Sequence, residues 1–154
     1  MRAMVCERFS EASKVERWFR RNCTEVVGRD CSLDLLIDDI RAELTGRPNP
    51  MTTRALILAP TRELAVQIDE VLHKLGGTRL STVLVLGGTS RNAQIQKIAK
   101  GVDVVIATPG RLVDLLDDKK LRLNETRWLV LDEADRMLDM GFIHPVRKIA
   151  AAIG

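Results

Sequence analysis

Two adjacent carboxylates end an apolar run in the segment Leu129–Asp135, whose sequence is LVLDEAD. Nucleoside triphosphatases use such an arrangement, in which a strand ends in two acids and a helix follows at once. The first carboxylate holds hydrated Mg²⁺, and the second orients or deprotonates the attacking water. Ordinary strand-to-helix junctions also carry acids, because carboxylates stabilise a helix N-terminus. Taken alone, the segment leaves both interpretations open.

Three further motifs precede the acidic run: Ala59–Ala65 (APTRELA), Gly87–Gly88 and Ala107–Arg111 (ATPGR). In each, residues suited to a tight turn or a helix start follow an apolar run. Helix N-termini and guanidinium groups bind phosphate, and glycine lets another backbone approach closely. Helix caps, solvent-facing arginines and a plain turn are the alternatives without a ligand. Ligands of α/β sheets gather at the carboxyl ends of strands, so the motifs predict one shared binding edge.

In this order the motifs resemble those of the DEAD-box family of ATP-dependent RNA helicases, over about residues 51–154. The resemblance implies a RecA-like domain whose turns contact the RNA backbone through Pro60, Thr61, Arg62, Gly88, Thr108 and Arg111. Contacts of this kind carry little sequence specificity, because they do not read base edges. We therefore expect RNA as a partner, bound weakly and without preference among sequences.

The resemblance also implies roles for three acidic residues. Asp132 would hold Mg²⁺ through water, Glu133 would be the general base, and both would face ATP. Asp135 would link to a Ser-Ala-Thr motif, which these 154 residues do not contain. The implied catalytic residues are therefore Asp132, Glu133 and Asp135, and the implied cofactors are ATP and Mg²⁺.

Other parts of the family pattern are missing from the sequence. No segment reads G-x-x-x-x-G-K-[ST], residues 1–50 contain no glutamine for an adenine-reading motif, and these 154 residues include no second RecA-like domain. A phosphate cradle, an adenine contact and an arginine finger are therefore not visible. The family function is ATP-dependent RNA binding and unwinding, but we expect this chain alone not to be catalytically competent. The alternative is a degenerate, non-enzymatic remnant that binds RNA or a protein partner.

The composition of the chain argues against a secreted disulfide-rich protein and against a membrane-spanning one. The net charge is +3, aromatic residues make up 3% of the chain, and tyrosine is absent. Cys6, Cys23 and Cys31 match no familiar zinc spacing, and their odd number argues against a secreted disulfide framework. No apolar run is long enough to span a bilayer. We expect a cytoplasmic protein with free thiols and no membrane contact.

From residue 54 onward, short apolar runs alternate with helical patterns. The predicted strands are Ala55–Ala59, Thr82–Leu86, Val102–Ala107 and Trp128–Leu131. Strands that are apolar throughout are buried on both faces, and their alternation with helices indicates βαβ units. The predicted fold class is α/β: a partial RecA-like three-layer domain with a mostly parallel sheet of about four strands.

Residues 1–50 do not match the family pattern and are predicted to be mainly helical, at 11–22 and 33–44. The expected organisation is an N-terminal segment, 1–50, and a partial helicase ATP-binding domain, 51–154. Without the P-loop strand, the Trp128–Leu131 strand should lack a neighbour unless residues 1–50 replace it. An unpaired apolar edge promotes association, so poor solubility or oligomerisation is expected.

Overall fold

A computed structural model describes residues 2–6, 25–28, 37–38, 40–42 and 46–153. These residues form a six-stranded sheet in the order β2-β1-β6-β3-β5-β4, in which every neighbouring pair is parallel. The strands are β1 (Arg2–Cys6), β2 (Glu25–Gly28), β3 (Thr53–Leu58), β4 (Thr82–Val85), β5 (Val102–Ala107) and β6 (Trp128–Asp132). The α/β class with a parallel sheet is confirmed, and residues 51–154 supply the four strands that their apolar runs predicted.

Helices connect the strands from β3 onward. They are α1 (Arg62–Gly76), α2 (Arg91–Ile98), α3 (Pro109–Asp117), α4 (Ala134–Asp139) and α5 (Ile143–Ala151). Thr61 caps α1 by accepting the Leu64 amide at 3.3 Å, and Ser90 caps α2 by accepting the Ala93 amide at 3.4 Å. Side-chain caps of this kind stabilise a helix start by about 1 kcal/mol. Within the described ranges, none of the helices has both the length and the apolar composition to cross a membrane.

The sheet is covered on both faces, which produces three layers. Alternate strand residues such as Leu58 and Leu131 pack with Leu112 of α3 and Ile149 of α5. The intervening residues face the opposite side, where Ile57 belongs to a cluster with buried residues of α1. All six residues of β5 are buried. The burial of both faces explains why these strands are mostly apolar, with polar residues such as Asp103 and Arg54 among their first residues.

The N-terminal segment was predicted to be mainly helical, but it contains the two strands β1 and β2. β1 lies between β2 and β6, and Met4 of β1 pairs with Val130 of β6. β6 therefore has a neighbour on each side, and the unpaired edge that suggested oligomerisation is absent. The residues of β1, RAMVC, show no clean alternation, and so short a run does not distinguish a strand from a helix.

Part of the N-terminal helical prediction does agree with the structure. Residues 37–38 and 40–42 are helical and lie within the helix predicted at 33–44. Ile37 and Ile40 are fully buried in the cluster that also contains Ile57. The helix predicted at 11–22 lies outside the described residues.

Candidate functional site

The carboxyl ends of four neighbouring strands lie side by side. Leu131 of β6 is opposite Leu58 of β3, Leu58 is opposite Ala107 of β5, and Ala107 is opposite Val85 of β4. The predicted site residues follow these ends, so the fold brings them to one edge of the sheet. We call Pro60, Thr61, Arg62, Gly88, Thr108 and Arg111 the strand-end face, and Asp132, Glu133 and Asp135 the acidic corner.

The turn after β3 presents Thr61 and Arg62 to solvent. Pro60 is buried, so its ring is not exposed to a ligand. Thr61 Oγ1 accepts the Leu64 amide, which leaves its hydroxyl proton free to donate. Arg62 is the first residue of α1, is exposed, and forms no ion pair within the described part of the chain. The predicted pair of phosphate donors is therefore accessible at this turn.

The guanidinium of Arg62 connects two motifs that are far apart in the sequence. Gly88 has φ +71°, and a Cβ built on it would lie 2.6 Å from Arg62 Nη1. Any other residue at position 88 would adopt a strained backbone and displace the arginine. The direct structural role of Gly88 is therefore to leave room for the guanidinium of Arg62 within the strand-end face.

Gln94 holds the turn that contains Gly88, and sequence reasoning did not single it out. Its side chain is buried; Nε2 donates to the Leu86 carbonyl at 3.0 Å and also to Thr89 Oγ1. Thr89 Oγ1 in turn donates to the same Leu86 carbonyl at 3.0 Å. The sequence signal that could have identified Gln94 is its position four residues before the buried Ile98. This spacing places both residues on the inner face of α2.

Arg111 carries an unsatisfied donor. Its Nη1 is buried and has no hydrogen-bond partner among the residues that the structure describes. Nearby at the start of α3, the Thr108 side chain makes no capping hydrogen bond, although Pro109 begins the helix. A buried guanidinium donor without an acceptor is costly, because it has lost its water. An anionic oxygen bound at this helix start would satisfy it.

Asp132 is the last residue of β6 and is half-buried. Burial raises the pKa of its carboxyl group, and the neighbouring charge of Glu133 raises it further, while a hydrogen bond from the Glu133 amide opposes the rise. Ionised Asp132 therefore lacks enough compensating charge in this environment. A cation beside it would supply that charge.

Glu133 has a left-handed backbone, with φ 49° and ψ 50°, at the position that precedes α4. Such a conformation costs a residue with a side chain about 1–2 kcal/mol. Strain of this size is common where a side chain must be held in a particular direction. Glu133 Oε2 accepts from Arg136 Nη1 at 3.1 Å, and Asp135 is half-buried in the first turn of α4.

The acidic corner suits hydrated Mg²⁺ better than an ion fully enclosed by protein ligands. Within the described ranges, no three His, Cys, Asp or Glu side chains are grouped so that they could hold a metal. Mg²⁺ usually binds through one or two carboxylates and completes its shell with water and substrate phosphates. Asp132, with its raised pKa, matches that pattern.

Comparisons with known proteins match most of the sequence to one family. The model of the DEAD/DEAH box helicase family matches residues 34–154, and the model of a domain of unknown function matches residues 2–35. The helicase match begins upstream of the predicted boundary at residue 51 and includes the buried Ile37 and Ile40.

Individual relatives align with most of the chain. Probable ATP-dependent RNA helicase ddx17 of Dictyostelium discoideum is 56% identical over 99 residues, which are 64% of this chain and 13% of that protein. DEAD-box ATP-dependent RNA helicase 5 of Arabidopsis thaliana is 51% identical over 108 residues, 70% of this chain and 20% of that protein. ATP-dependent RNA helicase dbp2 of Sclerotinia sclerotiorum is 54% identical over 99 residues, 64% of this chain and 17% of that protein. The chain therefore spans only a small part of the length of these relatives.

Proposed function

Because this chain belongs to the DEAD/DEAH box helicase family, we propose that its strand-end face binds the phosphate backbone of single-stranded RNA. We also propose that its acidic corner is the metal-holding and water-activating part of an ATP-hydrolysing site, which these 154 residues do not complete. The observation that carries the first proposal is the exposed guanidinium of Arg62, which forms no ion pair in the described chain and lies at the same sheet edge as Arg111. A phosphate oxygen is an acceptor of the right charge for that group.

The strand-end face is suited to the backbone of RNA and not to its bases. Arg62 and Arg111 supply cationic donors, and Thr61 and Thr108 supply hydroxyl groups beside helix N-termini. Base stacking needs exposed aromatic rings, but Trp128 is only 2% exposed. Binding should therefore be weak, independent of base sequence and sensitive to salt.

Fluorescence anisotropy with a labelled single-stranded RNA tests this proposal. Arg62→Ala and Arg111→Ala should each weaken binding by about 5- to 10-fold, as expected for the loss of a charged hydrogen bond. Lys120→Ala removes the same charge from the loop after α3, at the other end of that helix from Thr108, and should change affinity much less. Binding that is unaffected by both arginine substitutions, or that is independent of salt, would refute the assignment.

At the acidic corner, Asp132, Glu133 and Asp135 would have different roles in hydrolysis. ATP-bound Mg²⁺, when present, neutralises the phosphate charge that develops during hydrolysis. Asp132 would hold the ion through water. Glu133 would accept a proton from the attacking water through its oxygen Oε1, since Oε2 is engaged by Arg136. Asp135, in the first turn of α4, would position the same corner.

We further propose that a polypeptide of these 154 residues binds RNA without turning over ATP. No segment in it supplies a P-loop phosphate cradle, and catalytic parts that act as a unit fail together. The competing hypothesis is a degenerate, non-enzymatic remnant that binds RNA or a protein partner, and it also predicts no hydrolysis of ATP by this polypeptide. Purified chain should show no RNA-stimulated hydrolysis of ATP. Hydrolysis that Glu133→Gln abolishes would contradict the proposal, whereas hydrolysis that survives Glu133→Gln would indicate a contaminating enzyme.

A further inference from the structure

A second charged site lies at the opposite edge of the sheet, where β3, β4 and β5 begin. A cavity of about 1130 Å³ opens there. We call it the basic cavity, and its charged lining consists of Arg41, Arg47, Arg54, Arg79, Lys100 and Asp103. None of these residues belongs to the strand-end face or to the acidic corner.

Glycine contacts build the walls of the basic cavity. Gly101 has φ +76°, and a Cβ there would lie 2.5 Å from the Asn49 carbonyl oxygen and 2.6 Å from that of Pro48. This close approach brings the segment carrying Arg47 against the turn that carries Lys100. On another wall, Gly77 ends α1 with φ 58° and begins the short 3₁₀ turn Gly77–Arg79, which carries Arg79.

A buried ion pair braces the cavity beside β3 and β5. Arg54 Nη1 donates to Asp103 Oδ1 at 2.9 Å, and Arg54 Nη2 donates to the Gly46 carbonyl at 2.7 Å. Asp103 Oδ2 accepts from the amide of Ser81 at 2.9 Å and from its hydroxyl at 2.7 Å. The carboxylate is thus committed to Arg54 and Ser81, and it does not neutralise the other cations.

The remaining cations are largely available to a ligand. Arg41 donates to the Leu75 carbonyl at 2.5 Å and lies 3.9 Å from the exposed carboxylate of Asp38. Arg47, Arg79 and Lys100 are exposed and form no ion pair within the described part of the chain. The lining therefore presents several cationic groups to solvent around one concave space.

The charge of the lining is large for this chain. Within the described lining, five cations and one carboxylate leave a formal excess of four positive charges, while the whole chain has a net charge of +3. Such concentration of one sign in a concave site attracts polyanions. We propose that the basic cavity binds the phosphodiester backbone of RNA, as a second site distinct from the strand-end face. The choice of RNA as the polyanion rests on the proposed function.

The lining favours a nucleic acid over an acidic protein. Four of its five cations are arginines, whose planar guanidinium groups match phosphate oxygens in pairs. Protein partners usually insert aromatic or aliphatic anchors into apolar pockets, but among the described lining residues, apart from glycines, Pro48 alone is apolar. The described part of the cavity therefore offers charge and open backbone without an apolar anchor point.

Glycine amides provide separate reporters for the two sites. Gly46, Gly77 and Gly101 line the basic cavity, whereas Gly87, Gly88 and Gly110 lie at the strand-end turns. β3 has six residues, so about 20 Å of strand separates the edges. A single-stranded RNA of about 8 nucleotides, in the range of a single binding site, would be titrated into the ¹⁵N-labelled 154-residue chain. Both sets of glycine resonances should shift.

Two double variants distinguish the proposals. In Arg62→Ala/Arg111→Ala, the turn glycines should stop responding while the cavity glycines continue to shift. In Arg79→Glu/Lys100→Glu, the opposite should occur, with cavity affinity reduced at least about 10-fold at moderate salt. The control Lys97→Glu/Lys120→Glu makes the same change of charge at two positions outside the cavity lining. The cavity glycine resonances should keep most of their shift in this variant.

Three results would overturn the second site. In the first, the cavity glycines do not respond to RNA in the unmodified chain. In the second, they lose their response in Arg62→Ala/Arg111→Ala, which would mean a single site. In the third, a polyglutamate peptide of equal charge would shift them as well as RNA does, and the ligand would then be an acidic protein. Turn glycines that stay unmoved while cavity glycines shift would instead refute the proposed function of the strand-end face.

Discussion

The guanidinium of Arg62 occupies the space that a side chain at Gly88 would fill. The two residues follow different strands, and the distance of 2.6 Å between Nη1 and the position of a Cβ shows how closely they approach. Two motifs of the strand-end face are therefore one structural unit. A change at either should be felt at the other.

Gly88→Ala tests this relationship. Alanine would adopt φ +71° at a cost of about 1 kcal/mol and would displace Arg62. We expect RNA affinity to fall, but by less than in Arg62→Ala, because the guanidinium is the far end of a flexible side chain and is moved without being removed. Gly87→Ala is the matched control, because a Cβ at Gly87 meets no atom within 4 Å. Equal effects of the two substitutions on anisotropy would disprove the role of the Arg62 contact.

Gln94→Ala should loosen the same turn from inside the protein. It removes the donor to the Leu86 carbonyl and leaves a buried acceptor with one partner fewer, at a cost of about 1–2 kcal/mol. RNA affinity should also decline, because the Gly87–Gly88 turn loses its brace. Gln96→Ala, an exposed position of the same helix, should change neither quantity. Urea denaturation and anisotropy measure the two effects, and a stable Gln94→Ala variant would contradict the bracing role.

Asp132→Asn should raise stability at neutral pH. Burial raises the pKa of Asp132, so the folded state binds this proton more tightly than the unfolded state. The resulting contribution favours folding below the ordinary carboxyl pKa of 3.8 and is lost as pH rises through the raised value. The advantage of asparagine should therefore shrink as pH falls toward 3.8.

Thermal unfolding from pH 4 to pH 7 measures this trend. Asp139→Asn, at an exposed position of α4, serves as the control and should change stability by less than about 0.5 kcal/mol at pH 7. An Asp132→Asn variant that is less stable than the unmodified chain at pH 7 would show that the ionised carboxylate is well compensated.

Asp103→Asn should destabilise the domain by about 3 kcal/mol, because it removes one charge of a largely buried ion pair with Arg54. Asp117→Asn breaks a solvent-exposed pair with Lys148 and should cost less than about 1 kcal/mol. Chemical denaturation of both variants gives the comparison. Similar losses would mean that the Arg54–Asp103 pair adds no more than a surface ion pair.

The sequence predicted the central fold well because the signals there are local. Apolar runs such as Val102–Ala107 reflect burial on both faces, and Thr61 and Thr108 mark helix starts directly after strands. Parallel strands place their carboxyl ends together, which is why motifs scattered in sequence could be assigned to one edge.

What escaped prediction depends on contacts between distant residues. β1 is recognisable only through its pairing with β6, and its own five residues have no period. The basic cavity collects Arg47, Arg79 and Lys100 from three separate turns, each unremarkable as a surface charge. The isolated donor of Arg111 likewise depends on its surroundings, which no spacing rule describes.

The position of β1 also constrains how the chain can assemble. Met4 of β1 must pair with Val130 of β6, so this pairing waits until nearly all of the described chain has emerged from the ribosome. Closing so long a loop costs conformational entropy before the contacts between the strands can stabilise the pairing. This step should therefore be slow. Until β1 pairs with it, β6 has one unpaired side. Nascent or N-terminally truncated chains should therefore depend on chaperones more than the folded domain does.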